Sequence, residues 1–582
     1  MFWNKSRLVT RPLKPKNILS SLNRRDMLNW KLFRTIKTTS DDGPIKQQPE
    51  MDYVEQDICG VDDISENQMK QFDLGESRVL LIKQKGVLSA IGTKCSHYGA
   101  LLSTGALGDG RVRCPWHGAC FNIRTGDIED FPGQDSIPCY KVNVVEGQVR
   151  VRARRSDLEA NKRVRDMVKY DPTNEQCFVI VGGGPSGGIC AETLRQQGFT
   201  GRIVMVCKEA YLPYDRIKVS KAMDFNIHKT EFRTKDFYEE FGIEAMTGVE
   251  ATRVDSANKK VTLSNGYIIK YDKMYVATGS QAKKVPVPGA DLQNVMTMRN
   301  YEDAAHVQSL LTPDKHVVCL GLSFIGLEAA AYCVNKVAKV TVVGRDSVLL
   351  RHSFGPEVGK RIQDMFEQNN IEFILENGIK RCIGTDGVVT AVELNDGRQL
   401  PCDICIMGTG SSLYTKFLDN SGINVNKDGS INTNLYLQTN DPDVYVGGDI
   451  ANAPVYSIGN KLATIGHYPL AQYHGRMAGV NMAGTATEIR CVPYFWTVLF
   501  GKSFRYSGYG VPHETQIEGS LEDLKFVAIY YDKDGRVCGM ASCQRDPIVS
   551  QFAELQAQGK SLHKANLTAD PFGWTSEIVP KS

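Results

Sequence analysis

The chain has 582 residues, of which 42% are apolar and 23% charged, as is typical of a globular protein with three or four domains. It contains no run of about 18 apolar residues, so a membrane-spanning helix is not expected. The 16 cysteines follow no regular spacing, and several stand inside apolar strands. This usage disfavours a disulfide scaffold and indicates reduced thiols in an intracellular compartment.

The amino-terminal segment differs in charge from the rest of the chain. The first 40 residues contain ten Lys or Arg and one acidic residue, Asp26, whereas the remainder has 59 basic and 65 acidic residues. A basic, acid-poor leader with Ser and Thr resembles a mitochondrial transit peptide. We therefore predict a leader over residues 1–45 and a mitochondrial location, with a disordered basic tail on a cytoplasmic protein as the alternative. The acidic remainder disfavours nucleic-acid binding.

Residues 50–152 alternate short apolar strands with glycine turns, which predicts a small antiparallel sandwich. Two of its turns each carry a cysteine and a histidine, Cys95 with His97 and Cys114 with His117. These ligands suit a [2Fe–2S] cluster in which the cysteines hold one iron and the histidines hold the other. A Cys2His2 zinc site is the alternative, but the short spacing and the Trp and Gly on either side of His117 favour the cluster.

The charged residues 153–176 predict a linker with one helix. From Cys177 onward, apolar β-branched runs alternate with helical stretches, a pattern typical of parallel α/β domains. The first strand leads into a glycine-rich turn and then a helix. This order is the signature of a dinucleotide-binding fold, in which pyrophosphate lies at the helix N-terminus.

In this first signature each glycine has a separate function. Gly182 makes the turn, Gly184 permits close approach of the ligand, and Gly187 lets the helix pack on the strand. Glu209 ends the following strand, where a carboxylate can bind the hydroxyls of the adenosine ribose. The motif therefore predicts a nucleotide site that uses these four residues.

A second copy of the signature provides Gly321 and Gly326, with Ser323 replacing the middle glycine. The strand that follows ends in Arg345, where an acidic residue would favour NAD and an arginine could bind a 2′-phosphate. Both NADH and NADPH therefore stay open as ligands.

Later segments add further predicted contacts with a nucleotide. Thr278 and Gly279 follow a strand at a crossing between the two nucleotide domains, and Asp449 ends another strand with a carboxylate able to bind the ribitol of FAD. From about Val492 two strands precede a helix, which predicts a smaller α+β domain.

Residues 50–152 resemble the Rieske family, with two departures from its high-potential respiratory members. Those members have a disulfide between the two loops where this chain has Ala100 and Trp116. They also place Ser and Tyr hydroxyls near the cluster where this chain has Ala119 and Phe121. Fewer donors stabilise the reduced cluster less, so we expect a midpoint near the bottom of the range of roughly −150 to +300 mV.

Residues 177–575 resemble the flavoprotein disulfide-reductase superfamily. Within it, the segment 213–221 is similar to the flavin loop of ferredoxin reductases and apoptosis-inducing-factor flavoproteins. The resemblance implies that Arg216 and Lys221 lie against FAD, with Lys221 as the catalytic residue near the N5 edge. It also implies that the helix opening at His467 points its N-terminus at the flavin. Trp496 either approaches the flavin or belongs to the core.

The expected architecture is multidomain, with an all-β Rieske sandwich followed by two α/β Rossmann-like nucleotide-binding domains and a C-terminal α+β domain. The predicted boundaries are 50–152 for the Rieske domain, 153–176 for the linker, 177–300 with 436–490 for the FAD-binding domain, 301–435 for the NAD(P)-binding domain and 491–575 for the last domain.

The expected activity is oxidation of NAD(P)H through FAD, with electrons passing to a low-potential [2Fe–2S] cluster and on to an unknown acceptor. The nicotinamide dinucleotide is one predicted partner. A second predicted partner is an electron acceptor, which could be a protein. A second copy of the chain, in a homodimer, is a further candidate. The alternative function, implied by the resemblance to apoptosis-inducing factors, is redox-sensitive signalling with little turnover.

Overall fold

The computed structural model describes residues 52–579, and the predicted leader lies outside them. The N-terminal part contains two antiparallel sheets, which confirms the predicted all-β region. Along the strand Gln148–Arg154, Val149, Val151 and Ala153 are buried and the residues between them are more exposed, the period of a sheet with one face in a core. Across the six-stranded sheet the strands are Tyr53–Gly60, Gln148–Arg154, Cys139–Val145, Val87–Gly92, Ser77–Gln84 and Gln68–Leu74. The four-stranded sheet consists of Ala106–Leu107, Arg111–Arg113, Cys120–Asn122 and Ile128–Asp130.

One helix, Arg155–Ala160, opens the charged segment that was predicted to be a linker. A five-stranded parallel sheet follows, in the order Ile243–Thr247, Arg202–Cys207, Cys177–Val181, Lys273–Val276 and Val444–Val446. Its last strand comes from much later in the chain than the other four.

Two helices pack closely against each other on this sheet, Pro185–Gln196 and Tyr468–Met482. A Cβ atom at Gly475 would lie 2.1 Å from the carbonyl oxygen of Ser186, so only glycine permits this approach of the two helices.

A second five-stranded parallel sheet has the order Val295–Met296, Ile404–Met407, His316–Leu320, Lys339–Val343 and Ile371–Ile374. It carries the helices Tyr301–Leu310, Phe324–Cys333 and Arg351–Gln368, and the last of these has a kink at Gly355. The two parallel sheets confirm the α/β prediction for this part of the chain.

Smaller sheets flank both α/β units, and their strands pair antiparallel, except that Ile431–Asn432 pairs parallel with Ala451–Val455. Their strands are Ala251–Asp255, Lys260–Leu263 and Ile268–Lys270; Ser280–Ala282 and Ser411–Leu413; Ile379–Thr385, Val388–Leu394 and Gln399–Pro401; and Ile431–Asn432, Ala451–Val455 and Lys461–Thr464. Two short helices, Lys218–Lys221 and Lys235–Glu240, lie in the first unit.

The C-terminal part is a five-stranded antiparallel sheet with helices, as predicted for an α+β region. Across the sheet its strands are Tyr494–Leu499, Lys502–Gly508, Val537–Cys543, Lys525–Tyr531 and Glu514–Ser520, and its helices are Ile548–Ala557 and Lys564–Leu567. None of the helices in residues 52–579 is both long and apolar enough to span a bilayer.

Candidate functional site

Two loops of the N-terminal sheets bring the four predicted cluster ligands together. Cys95 and Cys114 are buried, and their sulfur atoms lie within hydrogen-bonding distance of each other. The Nδ1 atoms of His97 and His117 face each other 3.1 Å apart. The thiols therefore form one pair and the imidazoles another, as a cluster with two protein ligands on each iron requires.

The backbone of each loop also orients the cysteine of that loop for metal binding. The Cys95 sulfur accepts hydrogen bonds from the backbone N–H groups of His97 and Tyr98, and the Cys114 sulfur is held in the same way by the second loop. Burial lowers the pKa of His97 to about 3 and the pKa of His117 to about 2, so both imidazoles are neutral and able to bind a metal. Among residues 52–579 no three His, Cys, Asp or Glu side chains form a group that could hold a single metal ion. A two-iron cluster of this kind needs only two protein ligands on each iron.

A cavity of about 920 Å³ lies between the two parallel sheets and the C-terminal sheet, a size suited to a large cofactor. Most of the predicted cofactor-binding residues line it. They are Gly182, Gly184, Glu209, Arg216, Lys221, Thr278, Gly279, Asp449, His467 and Trp496.

The polar groups in this cavity fit a flavin dinucleotide. The helix Pro185–Gln196 begins at Gly184 without a side-chain cap, so its first N–H groups are open to a pyrophosphate. The nearest atom to a Cβ placed at Gly184 would be 4.0 Å away, which leaves room for the ligand. His467 precedes another helix that opens on the cavity, and its buried Nδ1 atom has no hydrogen-bond partner. A bound cofactor would satisfy both helix ends.

Two carboxylates at strand ends are held in place by neighbouring side chains. Glu209 accepts a hydrogen bond from the Tyr214 hydroxyl at 2.8 Å and pairs with Arg216. Asp449 accepts from the Ser280 hydroxyl at 2.8 Å and from Arg299 at 3.0 Å. Both carboxylates line the cavity, where sequence analysis predicted ribose and ribitol contacts.

Lys221 is paired in a way that the sequence did not reveal. Its ammonium group donates to the carboxylate of Glu328, whose side chain is only 3% exposed. The same carboxylate accepts hydrogen bonds from the hydroxyls of Ser220 and of Thr497, the latter at 2.7 Å. Glu328 follows the second glycine motif and is a charged residue in an otherwise apolar helix. That contrast was the sequence feature that could have indicated a buried, paired carboxylate.

The second glycine motif faces the same cavity through other residues. Phe324, Ile325 and Glu328 line the cavity, whereas Gly321 and Gly326 do not. A Cβ atom at Gly321 would lie 2.3 Å from the carbonyl oxygen of Gly408, so this glycine serves the crossing of two strands.

Arg345 and Gly187 also lie outside the cavity lining. Gly187 allows close packing, since a Cβ atom there would lie 1.9 Å from the Gly182 carbonyl oxygen. Arg345 follows the strand Lys339–Val343 and is exposed, and among the described residues its guanidinium has no hydrogen bond or ion pair. Its contact with a nucleotide stays a prediction.

Trp496 connects the cavity with the cluster loops. It lines the cavity, and its ring centre lies 4.4 Å from that of His117 and 5.9 Å from that of His97. One side chain thus touches both the predicted flavin site and both histidine ligands.

A buried ion network fixes the cluster loops against the C-terminal helix Ile548–Ala557. The side chains of Arg113 and Glu554 are each 1% exposed and pair at 2.6 Å. Arg111 pairs with the other oxygen of Glu554 at 2.9 Å, and Asp130 pairs with Arg113. Burying a charge without a partner is costly. Any other position of the Rieske loops would separate these buried charges, so the network favours the one seen here.

Direct contacts add to this docking. The Arg505 guanidinium donates to the Trp116 carbonyl oxygen at 3.0 Å, and the Ser550 hydroxyl donates to the Cys114 carbonyl oxygen at 3.0 Å. Two backbone carbonyl groups of the second cluster loop are therefore held by the C-terminal part of the chain.

Comparisons with known proteins agree with both halves of the site. Residues 54–141 match the Rieske [2Fe-2S] domain family, and residues 177–477 match the pyridine nucleotide-disulphide oxidoreductase family. Among curated proteins, apoptosis-inducing factor 3 of Mus musculus is 41% identical over 519 residues, covering 88% of this chain and 86% of the relative. The Homo sapiens protein of that name is 40% identical with the same coverage. A ferredoxin–NAD(+) reductase component of Photorhabdus laumondii is 28% identical, covering 60% of this chain and 89% of its own.

Solved structures show the same reductase fold. A ferredoxin reductase from Rhodopseudomonas palustris aligns with a TM-score of 0.66 at 25% identity, covering 70% of this chain and all of its own. The covalent complex of putidaredoxin reductase with putidaredoxin aligns with a TM-score of 0.65 at 24% identity, over 70% of this chain and 98% of that chain.

The ligand pairs, the cavity and these matches agree on the cofactors, which are FAD, NAD(P)H and a Rieske [2Fe–2S] cluster. The chain therefore belongs to the pyridine nucleotide-disulphide oxidoreductase family, as an NAD(P)H-dependent flavoprotein with a Rieske domain similar to apoptosis-inducing factor 3.

Proposed function

We propose that this chain carries electrons from NAD(P)H, through FAD in the large cavity, to a [2Fe–2S] cluster held by Cys95, His97, Cys114 and His117, and from there to an acceptor. The observation that carries the proposal is the position of Trp496, whose ring touches both histidines and the cavity wall. FAD, when bound, accepts a hydride from the nicotinamide and releases electrons one at a time.

The residues of this chain would bind and orient the cofactors. The uncapped helix at Gly184 and the carboxylates of Glu209 and Asp449 would hold pyrophosphate, ribose and ribitol. His467, at the N-terminus of its helix, would place a positive dipole end against the isoalloxazine and so favour the reduced flavin. Thr278 and Gly279 would line the wall between the two nucleotides.

The buried ion network supports a fixed path for the electrons. Arg113 and Glu554 lie in different halves of the chain and are both buried, so their pairing holds the cluster loops in place. Because Trp496 already joins these loops to the flavin cavity, the loops do not need to move to reach it. This geometry favours rapid internal transfer. On the basis of the basic leader, we propose that the protein works in the mitochondrion.

A rapid-mixing experiment tests the proposal. When NADPH or NADH is mixed anaerobically with the oxidised protein, the flavin absorbance should fall first and the cluster absorbance next, with the reduced cluster visible by EPR. The Trp496→Leu variant should slow the second phase more than the first, because it removes the ring between the cavity and the histidines, while Trp496→Phe retains an aromatic ring as the matched control. A cluster that stays oxidised after the flavin is reduced would overturn the proposal. Tight nicotinamide binding with negligible turnover would favour the signalling alternative.

We also propose that NADPH is the preferred coenzyme, with Arg345 bound to its 2′-phosphate. The exposed guanidinium of Arg345 has no partner among the described residues and stands at the strand end where an acid would bind NAD.

Replacing Arg345 by glutamate should reverse the coenzyme preference. A hydrogen bond to a charged group contributes about 1.5–3 kcal/mol, so kcat/KM for NADPH relative to NADH should fall by about 10- to 100-fold. Initial rates with both coenzymes and an artificial acceptor would measure it. Arg351→Glu, a nearby exposed arginine bonded to Ser347, is the matched control and should change the ratio less. An unchanged ratio in Arg345→Glu would refute the assignment.

A further inference from the structure

The cluster loops present apolar side chains that stay partly exposed beside the reductase part. They are Tyr98, Leu101 and Trp116, whose exposed fractions are 43%, 43% and 42%. Exposed apolar side chains grouped on neighbouring loops are typical of interaction surfaces. We call these three residues the exit surface.

Two of these side chains, Tyr98 and Trp116, contact the histidine ligands directly. The Tyr98 ring stacks on His97 at 3.9 Å and lies 5.6 Å from His117, and the Trp116 ring lies 6.2 Å from His117. Trp496, which lines the flavin cavity, packs on the same two histidines. A second redox centre placed on the exit surface would therefore be separated from the cluster ligands by a single layer of rings.

Unpaired positive charges surround this surface. Lys94, next to Cys95, is exposed and pairs in a β-bridge with Leu101, and Lys218 lies 5.4 Å from the Tyr98 ring. Lys162 is exposed and lies close enough to His97 to interact with it electrostatically. None of the three lysines forms an ion pair with a described residue.

The neighbouring carboxylates do not cancel these charges. Asp215 accepts a hydrogen bond from the Tyr98 hydroxyl at 2.7 Å and lies close to Lys218, and Asp546 is paired with Arg505 at 3.0 Å. The rim of the exit surface thus has more positive than negative groups.

We propose that the exit surface docks a separate, acidic one-electron carrier protein, which takes electrons from the cluster across Tyr98 and Trp116. An apolar centre with a charged rim is the usual anatomy of such a contact, and the opposite charges would steer the encounter. The inference rests on the proposed function. In the transfer the reduced cluster loses one electron and the carrier's metal centre gains it, with NAD(P)H as the ultimate donor and no bond formed or broken.

The test measures binding separately from turnover. The full-length protein would be immobilised and exposed to the soluble domain of cytochrome b5, an acidic one-electron haem protein, and to cytochrome c, a basic one. We expect cytochrome b5 to bind more tightly than cytochrome c, with a dissociation constant that rises steeply with ionic strength. The Lys94→Glu, Leu101→Ser double variant should weaken this binding by at least about tenfold.

A matched control carries the same two kinds of change on a different sheet. Ile268 is 61% exposed and Lys270 is exposed, so the Ile268→Ser, Lys270→Glu variant should bind cytochrome b5 like the wild type. The visible and EPR spectra of the cluster would verify that the Lys94→Glu, Leu101→Ser variant keeps its metal site.

Three results would overturn the proposal. They are equal binding of the two cytochromes, unchanged binding by the Lys94→Glu, Leu101→Ser variant, and self-association through the surface, seen as a dimer in sedimentation that the double variant dissolves. If NAD(P)H fails to reduce the cluster while cytochrome b5 still binds as expected, the proposed function fails and the docking surface stands.

Discussion

Replacing Glu554 by glutamine will lower the free energy of unfolding by about 3–5 kcal/mol, the cost of leaving buried charges without their partner. Glu554 is 1% exposed and holds Arg113 at 2.6 Å and Arg111 at 2.9 Å. Glutamine has the same shape, so the loss comes from charge and not from a cavity. Asp130 stays beside Arg113 and limits the loss to the stated range.

The first effect should appear where the Rieske loops meet the C-terminal helix that carries Glu554. Glu554 joins the C-terminal helix to the Rieske loops. We therefore expect the variant to lose the visible absorbance of the cluster at a lower urea concentration than the wild type does, before the parallel sheets unfold. Urea titration followed by cluster absorbance, by flavin fluorescence and by far-UV circular dichroism would separate the steps, since a chain of several domains need not unfold in one transition.

The matched control for this change is Glu244→Gln. Glu244 pairs with Arg202 at 2.8 Å, but the two side chains are 48% and 44% exposed, so the pair contributes at most about 1 kcal/mol. If Glu554→Gln destabilises the chain no more than Glu244→Gln, the buried network does not fix the docking of the Rieske loops, and the fixed electron path loses its support.

Local sequence patterns predicted the parts of the site that are built locally. The Cys–His pairs and the first glycine turn each lie within one loop or one strand–turn–helix unit, and the spacing of Cys95 and His97 or of Gly182 and Gly187 follows from that unit. The strand Val444–Val446 joins the first parallel sheet from much later in the chain, and its apolar pattern is the same as that of the strands before it.

The residues that join distant segments could not be predicted in this way. Glu554 and Thr497 are ordinary residues in their own helix and strand, and only the tertiary fold shows that one meets Arg113 and the other meets Glu328. Trp496 was ambiguous for the same reason, since a strand pattern gives the face of a residue but not what packs on that face.

Replacing Lys221 by methionine should have the largest kinetic effect of any single change in the cavity. The ammonium group of Lys221 lines the cavity and is fixed by Glu328, which is itself held by the hydroxyls of Ser220 and Thr497. A positive charge that is oriented before the reaction stabilises negative charge developing on the flavin without further reorganisation. Loss of one such donor typically lowers a rate by roughly 100- to 1,000-fold, which we expect for the reduction of bound FAD by NAD(P)H.

Single-turnover flavin reduction at saturating NAD(P)H measures this effect, and FAD content per protein shows whether binding is retained. Lys221→Arg keeps the charge and should retain more of the rate than Lys221→Met. Glu328→Gln keeps the lysine but removes its anchor, so we expect an intermediate loss, because the ammonium group would no longer be held in one position. Lys229→Met, an exposed lysine outside the cavity lining, is the control and should reduce its flavin at the wild-type rate. A Lys221→Met protein with full FAD content and an undiminished rate of flavin reduction would show that hydride transfer here needs no cation at this position.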